Sequence, residues 1–245
     1  MASATFRIWR GDRGKGAFVD YTSEYEAGMV VLDVVHKIQA SVATDMAVRW
    51  NCKAGKCGSC SAEINGRPRL MCMTRLNQLD LTQPITVEPM QTFPHVKDLV
   101  TDVSWNYRVK KKIQKFMPRK PDNKDGTWYI EQADVDRPQE FRKCIECFLC
   151  QDVCHVLRDH GLHEEFIGPR FLIHTAQLEM NPLDTGNRLK ALKDDFNIGY
   201  CNITKCCTNV CPEEIKITDN AIIPLKERVV DEFYDPVARL FKMLK

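Results

Sequence analysis

Asn51-Cys52-Lys53-Ala54-Gly55-Lys56-Cys57-Gly58-Ser59-Cys60 is the stretch on which the reading of this chain turns, and Cys72 completes it. Written as a spacing it is Cys52-x4-Cys57-x2-Cys60-x11-Cys72. Ala54, Gly55 and Gly58 stand between the cysteines, and residues this small let backbone N–H groups approach and hydrogen-bond cluster sulfurs. A [2Fe–2S] cluster takes thiolates on both irons, so the loop cysteines wrap one side while Cys72 closes from across the fold. Zinc is the competing metal. Its sites prefer paired C-x2-4-C knuckles with tetrahedral closure, which a tight triplet plus one distant cysteine matches poorly.

Two further runs lie outward from this loop: Cys144-x2-Cys147-x2-Cys150-x3-Cys154 and Cys201-x5-Cys207-x3-Cys211-Pro212. The loop closed by Cys72 has plant-type ferredoxin spacing, and the run from Cys144 has bacterial ferredoxin spacing. In two-cluster ferredoxins the last cysteine of such a run ligates the other cluster. Cys144, Cys147 and Cys150 then take Cys211 to hold a [4Fe–4S] cube, while Cys154 joins Cys201 and Cys207 on a second centre. The expected fourth ligand of that centre, three residues after Cys201, is Thr204. Three thiolates suit a [3Fe–4S] cluster. Cys206 stands beside Cys207, and adjacent residues on a helix point about 100° apart. It reads as a packed thiol, with a role as extra ligand of a second [4Fe–4S] cluster as the alternative. Two kinds of cluster motif on one chain suggest a relay of single electrons.

The 245 residues suit two domains, here placed at 1–105 and 106–245. With twelve cysteines and no apolar signal-peptide core at the start, metal is a better reading than disulfides, and the chain is expected to stay where it is made. No stretch approaches the ~20 apolar residues that span a bilayer. A net charge of +2 gives no global field for nucleic acid. No nucleophile–base pair, phosphate loop or dinucleotide fingerprint is present, so no catalytic residue is assigned. The six histidines form no Rieske-like arrangement, and His155 reads as a packing or hydrogen-bonding residue, with cluster tuning or proton acceptance as the alternative.

The first hundred residues read as a small mixed α/β unit. Residues 6–10 and 17–21 suggest a hairpin, residues 29–40 a helix carrying Val31, Leu32, Val34, Val35 and Ile38, and residues 85–88 a closing strand. Residues 95–117 are expected to be helical. The segment from Arg108 to Lys120 holds seven basic residues and no acid, a solvated helix face and linker or else a dock for an acidic partner or anionic lipid. Pro118, Pro121 and Gly126 mark a linker. Beyond Asp134 the pattern is helical, at residues 170–179, 187–196 and 218–233. The C-terminal residues 235–245 put Val237, Leu240, Phe241 and Leu244 on one stripe, read as packing on a protein surface rather than lipid.

The ordered set resembles the iron–sulfur subunit of succinate dehydrogenase and fumarate reductase, respiratory complex II. The likeness runs through the loop closed by Cys72, His95-Val-Lys-Asp-Leu-Val, Cys144-Ile-Glu-Cys147, Phe166-Ile-Gly-Pro169 and the last cysteine run. It implies an α+β protein: an N-terminal β-grasp plant-type ferredoxin domain followed by an all-α ferredoxin domain. It also implies partners, a flavoprotein subunit with FAD that oxidises succinate and a membrane anchor with a quinone site. Electrons would pass through [2Fe–2S], [4Fe–4S] and [3Fe–4S] clusters, serving the tricarboxylic acid cycle and respiratory chain from the cytoplasmic face of a bacterial plasma membrane. Fumarate reduction, or service to another flavoprotein dehydrogenase, is the alternative; a zinc-bearing nucleic-acid binder is a more distant one. Some positions depart from the family pattern. His155 stands where proline is frequent, the tryptophans common at the quinone site are absent from residues 156–161, and Asn202 stands where many have His. Glu213-Glu214 replaces a basic turn, and the tail is expected to brace the subunit on its anchor or the membrane.

Overall fold

Ala4, Phe6 and Ile8 point to one side of a strand and are almost fully buried, and that alternation organises the amino-terminal half. The computed structural model describes residues 2–237, so of the C-terminal stripe Leu240, Phe241 and Leu244 lie outside the described residues. The chain divides into two compact units. One comprises Met1–Trp105 with Ile145–Val153 and Val210–Pro212, the other Asn106–Cys144, Cys154–Asn209 and Glu213–Lys245.

The first unit is built on a seven-stranded sheet. Its strands are β1 (Ala2–Asp12), β2 (Lys15–Tyr25), β3 (Ser61–Ile64), β4 (Arg67–Leu70), β5 (Ile85–Glu88), β6 (His95–Lys97) and β7 (Val100–Thr101). The order is β4-β3-β5-β1-β6-β7, with β2 also paired to β1. β1 runs antiparallel to β2 and parallel to β5, with Phe6 opposite Ile85 and Ile8 opposite Val87. Helix α1 (Val31–Ser41) lays Val31, Leu32, Val34, Val35 and Ile38 into the core, each such burial stabilising by roughly 1.5–3 kcal/mol. The Asp33 carboxylate returns to the Val30 N–H at 3.1 Å and satisfies an open donor of the first turn. Cys60, Cys72, Cys147 and Leu149 belong to the same apolar cluster as Phe6 and Val35, so cysteines from two of the runs are set into the core itself.

The hairpin, α1 and the closing strand lie where the sequence predicts them, the hairpin strands being longer. The helix predicted over residues 95–117 does not form as one element. Residues 95–101 are strand and turn, and a helix occupies only Ser104–Lys112. The reason is tertiary. Asp98 holds a left-handed φ of 47°, its N–H bonds the Gly11 carbonyl at 2.8 Å, and its carboxylate accepts the N–H groups of Gly11 and Ala47. Helix starts only after Asp102, whose carboxylate accepts the Ser104 N–H at 2.8 Å.

The second unit is helical, with helices at Gln132–Gln139, Gly168–Glu179, Leu189–Asp194 and Ile223–Phe233, the last preceded by a π-helical turn at Ile217–Ile222. Among the described residues after Thr101 there is no strand, only an isolated bridge between Pro118 and Asp184. Val109 and Ile113 are buried while Lys111, Lys112 and Lys115 are exposed, so the basic segment is the wet face of an amphipathic turn. The stretch marked by prolines is pinned rather than loose: the Arg119 N–H reaches the Leu183 carbonyl at 2.8 Å, and Trp128 Nε1 donates to the Arg119 carbonyl at 3.1 Å. Arg188, with its side chain 1% exposed, donates to the carbonyls of Gln114 and Lys115 at 2.9 Å and pairs with Asp184 and Glu179. Among the described residues no helix is long and apolar enough to cross a membrane.

Candidate metal centres

The loop from Asn51 to Cys60 aims backbone amides at sulfur. Ala54 and Lys56 direct N–H groups at Cys52 Sγ over 3.4 and 3.3 Å, and Ser59 directs one at Cys57 Sγ over 3.5 Å. From across the fold the Cys72 N–H faces Cys60 Sγ at 3.5 Å. The turn that permits this carries Lys53 and Gly58 in the left-handed region, at φ 54° and 68°. Exposure grades along the site: Cys52 is exposed, Cys57 half-buried, Cys60 and Cys72 buried. The thiols differ accordingly. Burial pushes Cys60 up to about 12. At Cys57 burial is outweighed by hydrogen bonds from Cys52 and Ser59, which bring it down to about 7. Amides and hydroxyls directed at sulfur favour the thiolate form, the form that binds iron.

The two later runs repeat one backbone device. Glu146 and Phe148, between Cys144 and Cys150, have φ of 55° and 64°; Ile203 and Lys205, between Cys201 and Cys207, have φ of 63° and 62°. Left-handed non-glycine residues cost roughly 1–2 kcal/mol each. Strain of this kind collects at functional sites, and left-handed residues within turns gather N–H groups into concavities that bind anions, Fe–S clusters among them. The residues present therefore fit anionic clusters. None of the twelve cysteines is joined in a disulfide. Among the described residues no three His, Cys, Asp or Glu side chains are gathered for a single metal ion.

The structure sorts the cysteines of these runs. Cys147, Cys150 and Cys211 belong to the first unit, Cys144, Cys154, Cys201, Cys206 and Cys207 to the second. Cys154 is pushed up to about 11 by burial, and Cys206 and Cys201 are the charges that add to the shift. Cys206 moves the other way. A hydrogen bond from Cys207 leads, and with Thr204 and His155 it outweighs burial and brings the thiol down to about 5. Thr204 Oγ1 lies 3.3 Å from Cys206 Sγ, whereas the buried Cys207 Sγ lies 3.5 Å from Thr218 Oγ1. Lys226 Nζ donates to the Cys201 carbonyl at 2.6 Å and ties the helix Ile223–Phe233 to this run. His155 is thus a hydrogen-bonding partner of a thiol.

Residues 5–107 match the family model for a 2Fe-2S iron-sulfur cluster binding domain, and residues 140–215 that for a 4Fe-4S dicluster domain. The succinate dehydrogenase iron-sulfur subunit of Paracoccus denitrificans is 27% identical over 227 residues, 91% of this chain and 86% of that one. The fumarate reductase iron-sulfur subunit of Mycobacterium tuberculosis is 31% identical over 189 residues, 76% of this chain and 75% of its own. The chain belongs to the succinate dehydrogenase and fumarate reductase iron–sulfur subunit family. A chain of the Mycobacterium smegmatis Sdh1 complex, solved in the apo form, superposes with a TM-score of 0.92 and 59% identity, covering 96% of this chain and 98% of that one.

As an iron–sulfur subunit of that family, the protein is an electron-transfer component of an oxidoreductase, with a 2Fe–2S domain ahead of a 4Fe–4S domain. A sheet-rich unit first and helices later agree with that order. Cysteine spacing does not reveal the residues that shape the sites. Glu146, Phe148, Ile203 and Lys205 look ordinary in sequence, and only their φ marks them. Thr218 and Lys226 carry no sequence signal either, because their roles arise from tertiary contact.

Proposed function

We propose that this chain relays electrons one at a time from the FAD of a flavoprotein subunit to a quinone in a membrane-anchor subunit, in the succinate-oxidising direction. When bound, the [2Fe–2S], [4Fe–4S] and [3Fe–4S] clusters would supply the one-electron carriers that a two-electron flavin reaction needs to reach quinone. Cys52, Cys57, Cys60 and Cys72 hold the first; Cys144, Cys147, Cys150 and Cys211 the second; Cys154, Cys201 and Cys207 the third. The N–H groups of Ala54, Lys56 and Ser59 accept part of the sulfur charge at the first site. Burial of Cys60, Cys72, Cys150 and Cys154 excludes water from the inner sulfurs. The observation that carries this reading is the exchange of partners between the two later runs. Cys154 has Cys201 as an electrostatic neighbour, together with Cys206, whose leading hydrogen-bond partner is Cys207, and Cys211 belongs with Cys147 and Cys150 in the first unit.

The same reading takes residues 1–105 as a β-grasp ferredoxin domain and residues 106–245 as the helical ferredoxin domain. It makes the subunit peripheral, held at the cytoplasmic face of the membrane by its anchor. Electron paramagnetic resonance of the purified complex tests it. A near-isotropic signal in the oxidised state, followed by two further signals on stepwise reduction, is expected. Absence of iron and acid-labile sulfide would overturn the relay.

A further inference from the structure

A hydroxyl ties the first cysteine loop to the backbone of Cys147. Ser61 opens β3 directly after Cys60 and is 6% exposed. Its Oγ lies 2.8 Å from the Gly58 carbonyl and 2.9 Å from the Cys147 carbonyl. The Gly58 carbonyl also receives the Ser61 N–H at 3.3 Å. It therefore has a donor without the hydroxyl, and the single hydroxyl proton is available to Cys147. The same junction is close on its other side. A Cβ added at Gly58 would stand 2.5 Å from Cys147 Cα and 2.8 Å from Cys147 Cβ. The segment is fixed at its far end as well: the Thr92 N–H reaches Asp152 Oδ1 at 3.1 Å, and the Thr92 hydroxyl donates to the Asp152 carbonyl at 2.9 Å.

We propose that Ser61 is a positioning residue for electron transfer, its hydroxyl holding the Cys57–Cys60 loop against Cys147 and so fixing the gap between the first and second thiolate sets. The inference rests on the ligand assignment above. The step it serves moves one electron from the first centre to the second, with no bond made or broken and no proton required. Backbone-to-backbone contact at Gly58 leaves no side chain between the two segments. The hydroxyl carries a buried hydrogen bond from β3 to the Cys147 carbonyl. Losing it removes a buried hydrogen bond from the Cys147 carbonyl, and the segment relaxes toward other contacts. The separation then grows without either ligand set being touched.

The test compares Ser61→Ala and Ser61→Thr in the purified complex, with iron and sulfide content measured beside the spectra. Two readouts report the gap: spin–spin broadening between the two reduced centres, and freeze-quench timing of electron arrival at the second after the first. Expected for Ser61→Ala are full cluster content, weaker broadening and arrival slowed several-fold, with Ser61→Thr close to the wild type in both. Broadening and timing unchanged in Ser61→Ala, with all clusters present, would overturn the proposal and leave the relay standing. Loss of a cluster in Ser61→Ala would overturn it too, by showing that the hydroxyl serves assembly rather than spacing. A wild-type complex without two reducible centres would instead sink the relay reading on which the proposal rests.

Discussion

The Asp98 carboxylate accepts the Ala47 N–H at 2.8 Å, joining residues fifty-one positions apart. The same side chain takes the Gly11 N–H and Arg10 Nε, each at 3.0 Å, and is 2% exposed. Arg10 is held in turn by Asp45 and Tyr21, so the turn after β6, the end of β1 and the approach to the cysteine loop meet at one carboxylate. Replacing Asp98 by Ala leaves the half-buried N–H groups of Gly11 and Ala47 without their acceptor, at about 1–3 kcal/mol each, and removes the short polar side chain that lets Asp tolerate a left-handed φ. Asp98→Ala is expected to lose about 3–5 kcal/mol. Asp98→Asn, which keeps an acceptor and tolerates that φ, should lose roughly half as much. Denaturant unfolding of both variants checks this. Equal losses would show that the carboxylate is not the joint.

Gly58 and Gly66 share a φ of 68° yet differ in surroundings. A Cβ at Gly66 meets nothing within 4 Å, whereas at Gly58 it meets the Cys147 backbone. Gly66→Ala should cost about 1–2 kcal/mol, the left-handed penalty alone. Gly58→Ala adds a clash with backbone, which cannot rotate away, so it should cost at least about 3 kcal/mol and deplete the [2Fe–2S] signal. Iron content and the reduced-state spectrum of the two variants, measured side by side, separate conformation from contact. A Gly58→Ala protein that matched Gly66→Ala would refute the close approach.

How much of this could be read in advance differs by element. The order of a 2Fe–2S domain before a 4Fe–4S domain was legible because cysteine spacing is a local property of the chain and few chemistries use it. α1 and β5 were legible because their apolar residues repeat at the period of one element. The strands Ser61–Ile64 and Arg67–Leu70 were not, being four residues each with Pro68 in the second, too short for alternation to register. Residues 95–101 misled because Val96, Leu99, Val100 and Val103 imitate a helical face, while Gly11 and Ala47, remote in sequence, hold Asp98 in a turn. Glu146, Phe148, Ile203 and Lys205 adopt a backbone that their side chains disfavour, so local preference points away from it.

His36 makes stability depend on pH. Its Nε2 is buried without a hydrogen-bond partner, and its ring meets Trp50 edge-on at 4.8 Å. Burial holds it below the usual 6.5, Lys53 adds to that, and Asp33 opposes both. A base depressed in the folded state binds more protons when unfolded, so its contribution is present above pH 6.5 and is lost as pH falls below it. The loss ends once the folded protein also takes the proton. The melting temperature of the complex should thus fall from about pH 7.5 to about pH 5.5, less steeply in His36→Gln. Parallel curves for the two proteins would assign the dependence elsewhere.

Arg188 is a buried cation with two carboxylate partners, Asp184 at 2.8 Å and Glu179 at 3.3 Å. Arg188→Met would leave both carboxylates without their cation and the carbonyls of Gln114 and Lys115 without their donor. The expected loss is about 3–5 kcal/mol. Adding Glu179→Gln and Asp184→Asn should recover part of it, because the stranded charges are the greater share of the cost. No recovery in thermal unfolding would mean that the carbonyl contacts dominate.

Cys206 and Thr204 separate two accounts of the third centre. Cys206 takes its leading hydrogen bond from Cys207 and further ones from Thr204 and His155, whereas Cys207 also lies against Thr218. A thiolate pair on one cluster would need both to turn inward. Cys206→Ser is therefore expected to leave the oxidised near-isotropic signal intact, with at most a shifted potential, since hydrogen bonds near the sulfurs are one lever on it. Thr204→Cys supplies a thiol where the fourth ligand of a cube belongs, and should remove that oxidised signal by completing a [4Fe–4S] cluster. Iron per protein would rise by one, and a new signal would appear only on reduction. If the wild type lacked the oxidised signal and Cys206→Ser acquired it, the assignment would reverse, with Cys206 the fourth ligand in the native protein.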